Sequence, residues 1–133
     1  MLLQPGDKIG VTRQTRIGEV GHVGIYVGRI YGYAGNWVIE CDKESGVRYT
    51  LFEDFARGEQ VRMVSRKAKT AAEQRTIIAR AQQLLGTPYH AVGFNCEHLA
   101  NYAETGTASS PQLQRYVVGA VASVFFVGMI WNA

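Results

Sequence analysis

The chain is poor in the residues that would mark a secreted, metal-stapled or nucleic-acid-binding domain. It holds two cysteines, Cys41 and Cys96, too few for a disulfide framework. Neither stands in a Cys-x-x-Cys or Cys/His spacing that would bind zinc. Nothing in the sequence calls for a metal or an organic cofactor. At the N-terminus, MLLQPGDKIG, no charged segment leads into an apolar one. No signal peptide is read there, and a reducing cytoplasm is the expected compartment, one in which a free thiol survives. The excess of positive charge is small, 14 basic against 11 acidic side chains for a net +3, and a nucleic-acid partner is not expected. Histidine is scarce as well. Only His22, His90 and His98 are present, so each can be weighed individually.

What is present suits one folded domain. The 133 residues are 47% hydrophobic and 19% charged, an ordinary globular balance. Pro5-Gly6-Asp7 reads as a turn feeding a short strand, Lys8 to Val11, followed by a loop to Gly21. HVGIYVG, beginning at His22, alternates at period two and is read as a strand. WVIEC, Trp37 to Cys41, follows as a second strand after a loop from Arg29 to Gly35. A turn at Ser45-Gly46 leads to a strand over Val47 to Tyr49, and Gln60 to Val64 is read as another. Thr50 and Glu53 have the spacing of a capping box for a short helix that stops at Gly58. Thr70 and Glu73 have the same spacing for a longer one. The apolar stripe of that longer helix is Ala72, Ile77, Ala81, Leu84 and Leu85, closed by Gly86. A third helix is expected from an Asn95 N-cap to Thr105, stopped by Gly106. Strands first and helices later make an α+β domain.

Asn95-Cys96-Glu97-His98 is the segment richest in chemistry. With Asn95 as N-cap, Cys96 enters the first helical turn, where unpaired N–H groups and the positive end of the helix dipole favour a thiolate. A lone cysteine is otherwise most often a small buried hydrophobe, so a base must be found for it. His98 lies about 200° around the same helix at roughly 100° per residue and cannot face the sulfur, so it is read as a packing residue. His90 lies in the preceding loop with nothing to fix it. His22 sits on a strand face shared with Gly24, and the glycine leaves room for a helix backbone to bring Cys96 to the imidazole. If HVGIYVG and WVIEC form a hairpin around residues 31 to 33, Glu40 falls opposite Gly24 or one diagonal step away. There it could hold the second ring nitrogen of His22, completing a nucleophile, base and orienter set. By the same alternation Cys41 points away and is expected to be inert.

These residues resemble a family. HVGIYVG followed by NCEH is similar to the lecithin:retinol acyltransferase-like proteins, circularly permuted relatives of the NlpC-type cell-wall peptidases and, more distantly, of papain-like thiol enzymes. The likeness runs from Pro5 to Ser110. It implies a permuted NlpC/papain-like domain, an antiparallel sheet packed on a helix that carries the nucleophilic cysteine, with catalytic residues Cys96 and His22. In the acyltransferases a second histidine usually stands where Glu40 is found here. Glutamate at that position resembles the permuted bacterial hydrolases instead. The expected chemistry is therefore acyl hydrolysis or transfer through a thioester, on lipid esters as in a phospholipase or acyltransferase. The alternatives are amidase or peptidase action and a non-enzymatic membrane-interaction module.

The chain divides into a catalytic domain over residues 1–110 and an apolar helical tail over 111–133. The run YVVGAVASVFFVGMIW, from Tyr116, contains no charge. As a helix it would span ~24 Å, short of the roughly 30 Å hydrocarbon core. It must therefore pack on its own domain, on a second copy of the chain in a homo-oligomer, or on a membrane surface. Between Arg57 and Arg80 stand seven Lys or Arg against Glu59 and Glu73. This basic stretch could supply the electrostatic part of a peripheral membrane attachment.

Overall fold

The computed structural model describes residues 2–118. Five strands, β1 (Lys8–Thr15), β2 (Gly18–Ile30), β3 (Tyr33–Asp42), β4 (Gly46–Leu51) and β5 (Arg62–Ser65), form one sheet in the order β4-β3-β2-β1-β5. All four pairings are antiparallel. Between and after them come helices α1 (Phe52–Ala56), α2 (Ala71–Gln83) and α3 (Cys96–Thr105). A further helix starts at residue 111 and runs to 118, the last residue described. The architecture is α+β, as the order of elements implied.

Period-two alternation sorts the sheet into two apolar faces. Val23, Ile25, Ile39, Cys41 and Val47 meet Ile77, Ala81 and Leu84 of the α2 region and Leu99, Ala100 and Ala103 of α3, forming the main core. Leu113, from the helix that starts at 111, is fully buried in that core. On the opposite face Ile9, Val11 and Val38 pack on Phe55 of α1 in a smaller cluster. Each large side chain so buried contributes about 1.5–3 kcal/mol relative to exposure.

Several elements differ from expectation, each for an identifiable reason. The segment read as a loop up to Gly21 is the far part of a long hairpin, paired from Lys8↔Ile25 to Thr15↔Gly18. Residues 14–21 are exposed on both faces. They carry no apolar alternation to announce a strand, and main-chain pairing holds them. The loop expected over Arg29 to Gly35 contracts to a tight turn before Tyr33, with Gly32 in the left-handed region at φ 86°. Thr50 caps nothing. It is buried inside β4 opposite Val38, and α1 starts after Leu51 with no side-chain cap. The last strand starts at Arg62 rather than Gln60.

The longer helix begins where the spacing placed it, with Thr70 Oγ1 accepting from the Glu73 N–H at 3.1 Å. The Glu73 carboxylate accepts from the Lys69 N–H instead of closing the box on Thr70. Ile77, Ala81 and Leu84 are buried as the stripe requires, but Ala72 is exposed. Leu85 is exposed too, because the helix ends at Gln83. The expected apolar tail lies outside the described residues beyond Val118.

Candidate active site

The sheet fixes one half of the site. Gly24↔Glu40 is a directly opposed pair in the β2–β3 ladder, which places His22 and Glu40 on the same face. His22 Nε2 lies 2.8 Å from Glu40 Oε1. The other carboxylate oxygen accepts from Arg48 Nε at 3.0 Å, and a terminal nitrogen of Arg13 stands 3.8 Å from Oε1. The imidazole rests against the Phe55 ring at 5.2 Å between centroids. Gly24 is needed, but not for the expected reason. A Cβ there would meet Val38 Cγ1 at 2.8 Å and Phe55 Cε2 at 3.1 Å, so the glycine makes room for α1 and its own sheet rather than for the backbone of α3.

Helix α3 supplies the other half. Asn95 is its N-cap, its side chain accepting from the N–H groups of Glu97 at 3.0 Å and His98 at 3.3 Å. His98, expected to be a packing residue, returns the interaction: its Nδ1 accepts from the Asn95 N–H at 3.1 Å. This is a capping box with histidine in the place usually held by Glu or Gln. The Asn-x-x-His spacing was the sequence signal for it. Gly106 closes the helix in the left-handed conformation, φ 74°.

The β2–β3 ladder stops at Gly24↔Glu40. Beyond it β2 stays with β1 and β3 with β4, and Cys96 sits at this fork. The Cys96 sulfur lies near enough to the His22 ring and the Val23 N–H for both to act on its ionisation. Since Glu40 holds Nε2, Nδ1 is the nitrogen left for the sulfur. The position of α3 is fixed by buried Lys8 of β1, whose Nζ reaches Glu97 and Asn101, each at 3.1 Å. At the far end of the helix, Ser65 donates to Glu104 at 2.6 Å, and Arg80 donates to the Ala103 carbonyl at 3.2 Å.

These contacts set the protonation preferences. Burial works against a charged Cys96, but the hydrogen bonds to His22 and from Val23, with the charge of His22, outweigh it and lower the thiol pKa. Burial likewise opposes a charged His22, yet the bonds to Cys96 and Glu40 raise its pKa overall. Glu40 is 2% exposed, and desolvation alone would push its pKa up. The hydrogen bonds from His22 and Arg48 reverse that and hold it below the usual carboxylate range. The set favours thiolate, imidazolium and carboxylate together.

Cys41 lies on the other face of β3, buried with Ile39, and burial next to the Cys96 charge pushes its thiol up to about 12. At neutral pH only about one Cys41 in 10⁵ is then thiolate. Iodoacetamide at pH 7 is therefore expected to label Cys96 and leave Cys41 unmodified, as read by peptide mapping. Labelling of Cys41 first, or at an equal rate, contradicts this account. His90 takes no part: it forms a bridge with Phe94, and its Nδ1 accepts from the Gly93 N–H at 3.1 Å. No three His, Cys, Asp or Glu side chains gather to hold a metal among the described residues.

Sequence reasoning missed Arg48, Phe55, the Val23 N–H and Lys8. Arg48 faces Glu40 only through the β3–β4 register, Glu40↔Arg48, and Phe55 arrives from a separate helix.

A thiol at a helix N-terminus, docked on a sheet that carries an imidazole and a carboxylate earlier in the chain, defines the permuted papain-like class. Comparison with known proteins narrows it. The model of the family described as "Permuted papain-like amidase enzyme, YaeF/YiiX, C92 family" matches residues 6–103, and the chain belongs to this family. It is also similar to lecithin retinol acyltransferase from Bos taurus, 35% identical over a 79-residue alignment that covers 54% of this chain and 33% of that protein. The Homo sapiens protein of that name is 35% identical over a 78-residue alignment that covers 56% of this chain and 34% of its own. The chain thus spans about a third of the length of these curated relatives.

Proposed function

We propose that the protein is a thiol acyl hydrolase or acyltransferase that carries its acyl group as a thioester on Cys96. The observation behind this reading is the His22 Nε2–Glu40 Oε1 contact at 2.8 Å beside Cys96, whose influence and that of the ring on each other lower the thiol pKa and raise that of the imidazole. In the proposed cycle His22 Nδ1 takes the thiol proton and the thiolate adds to an ester or amide carbonyl. Asn95 engages the N–H groups of Glu97 and His98, so the first-turn amide left to meet the tetrahedral oxyanion is that of Cys96 itself. The imidazolium then protonates the leaving alcohol or amine as the carbon–heteroatom bond breaks. Water or another hydroxyl, deprotonated by His22, attacks the thioester and restores the thiol. Glu40 keeps Nδ1 turned towards sulfur and stabilises the imidazolium.

The leading substrate is a lipid ester, the class named in the relatives, handled at a membrane surface from the cytoplasmic side. Two of the seven basic residues between 57 and 80 are internal ties, Arg66 to Asp7 at 2.8 Å and Arg80 to the end of α3. Arg57, Arg62, Lys67, Lys69 and Arg75 are exposed and suit an anionic headgroup layer. Among the described residues no helix is long and apolar enough to cross a membrane. Attachment would then rest on this basic surface and on the tail. The second reading, an amidase, is favoured by the family description and by glutamate at position 40.

The test is intact-mass analysis after incubation with phosphatidylcholine vesicles and, separately, with a panel of N-acyl peptides. An acyl adduct on Cys96 from the vesicles is expected. An adduct from peptides alone moves the assignment to an amidase. Absence of any adduct, with Cys96 shown to be alkylatable, removes the covalent mechanism.

A further inference from the structure

Glu40 is a buried carboxylate whose two oxygens are held by different partners. Oε1 meets His22 Nε2 at 2.8 Å and Oε2 meets Arg48 Nε at 3.0 Å. Arg48 stands directly across the β3–β4 ladder from Glu40. It is fixed in turn by the Ser45 hydroxyl at 3.2 Å and by Asp42 at 3.5 Å. Asp42 is anchored by the N–H groups of Glu44 at 3.0 Å and Ser45 at 2.9 Å. The chain of contacts therefore runs from the amides of the β3–β4 turn through Asp42, Arg48 and Glu40 to the imidazole. A guanidinium donor on one oxygen does two things at once: it favours the ionised carboxylate in a dry setting, and it stops the carboxylate from turning away from the ring.

We infer that Arg48 is a positioning residue of the active site, acting through Glu40 to keep His22 aligned with Cys96 and able to carry the imidazolium charge. This rests on the Cys96–His22 chemistry proposed above. The charged and titratable groups facing Glu40 are Arg13 from β1, His22 from β2, Asp42 from β3 and Arg48 from β4, with Cys96 from α3 beyond the ring. Arg13 cannot substitute for Arg48. Its terminal nitrogen is committed to the Phe55 carbonyl at 2.9 Å and stands further from the carboxylate. Without Arg48, burial pulls Glu40 towards its neutral form as the pH falls. A neutral Glu40 held by no guanidinium no longer fixes the ring against Cys96, so the thiolate loses its imidazolium partner and the acid limb of thiol reactivity moves up.

The test uses the full chain and iodoacetamide as a probe that needs no substrate, with p-nitrophenyl butyrate as an acyl donor. Arg48→Gln is expected to raise the acid-side midpoint of Cys96 alkylation by about one pH unit and to lower kcat with KM little changed. Arg48→Lys, which restores the charge without the fork, is expected to keep the midpoint and still lose about ten-fold in kcat. In a Glu40→Gln background the Arg48→Gln change should add nothing, because the two act in series. His22→Asn is the control. If it returns Cys96 to the profile of an ordinary thiol while Arg48→Gln matches the wild type, the inference about Arg48 is overturned and the Cys–His reading stands. If His22→Asn leaves the profile unchanged, that reading fails and the inference with it. Should Arg48→Gln not fold, the Lys variant decides: a wild-type kcat overturns the inference.

Discussion

Protein carrying Cys96→Ser is expected to fold as the wild type does and to lose turnover by about 10⁴-fold or more. The size follows from the surroundings of the sulfur. A thiol here has its pKa drawn down by the His22 ring and the Val23 N–H, whereas a serine hydroxyl is too weak an acid to be ionised by the same contacts. The fold should survive because Cys96 is only half-buried and α3 is held elsewhere, by the Asn95–His98 cap and by Lys8. Glu40→Gln should be milder. A carboxylate offers one oxygen to His22 and one to Arg48, while an amide has a single oxygen and turns its NH₂ towards one of two donors. Losing one hydrogen bond to a charged group, worth about 1.5–3 kcal/mol, corresponds to roughly 10–100-fold in rate. Turnover is followed by release of product from whichever acyl donor charges Cys96, with circular dichroism as the check on fold. A Cys96→Ser protein that keeps more than a hundredth of wild-type turnover removes the sulfur from the mechanism.

The largest expected loss of stability lies away from the chemistry. Gly46→Ala should destabilise the fold by about 3 kcal/mol and lower Tm by roughly 10 °C. Gly46 opens β4 with φ 73°, a conformation that side chains disfavour. Its missing Cβ faces the backbone of the loop after α2: an added methyl would run into the Thr87 carbonyl and lie 3.2 Å from Pro88 Cα. That loop is stitched to β4 by Val47 N–H to Thr87 O and Gly86 N–H to Val47 O, each 2.9 Å, so moving it away sacrifices main-chain hydrogen bonds. Gly58→Ala is the comparison. Gly58 has φ 79° but nothing within 4 Å of its would-be Cβ, so it should cost only the conformational part, about 1 kcal/mol. Equal losses in the two variants, measured by thermal melts, would show that the contact with residues 86–88 carries no weight.

How far the sequence disclosed this molecule depended on whether a feature was local. Helix α3 was legible to the residue, because Asn95 and Gly106 mark its ends by their own chemistry. The opposition of Glu40 to Gly24 was legible only in outline: the turn's own register, Ile30↔Tyr33, would set Glu40 against Val23, and the register shifts on either side of Gly28 bring it to Gly24. The β1–β2 hairpin was not legible, since a ribbon solvated on both faces has no hydrophobic period to read. Thr50 misled because a helix-cap spacing was overridden by continued pairing, Leu51↔Trp37, that no local pattern reveals. Arg48 was missed for the same reason: its partner is set by the register of a second hairpin. The glycine beside His22 was correctly singled out and wrongly explained, because the side chain it admits, Phe55, comes from a helix whose docking face was unknown.

The order of elements also sets a timetable. On a ribosome residues 8–51, which form β1–β4, emerge before α3, and they carry His22, Glu40 and Arg48. Cys96 is made later, and its sulfur meets the Val23 N–H and the imidazole only when α3 docks and Lys8 closes on Glu97 and Asn101. A domain generally folds as a unit, and the core that covers this sheet needs Leu99, Ala100 and Ala103 of α3. Thiol activation is then gained only with the completed fold, and a nascent or unfolded copy displays two ordinary cysteines without the contacts that lower the Cys96 pKa.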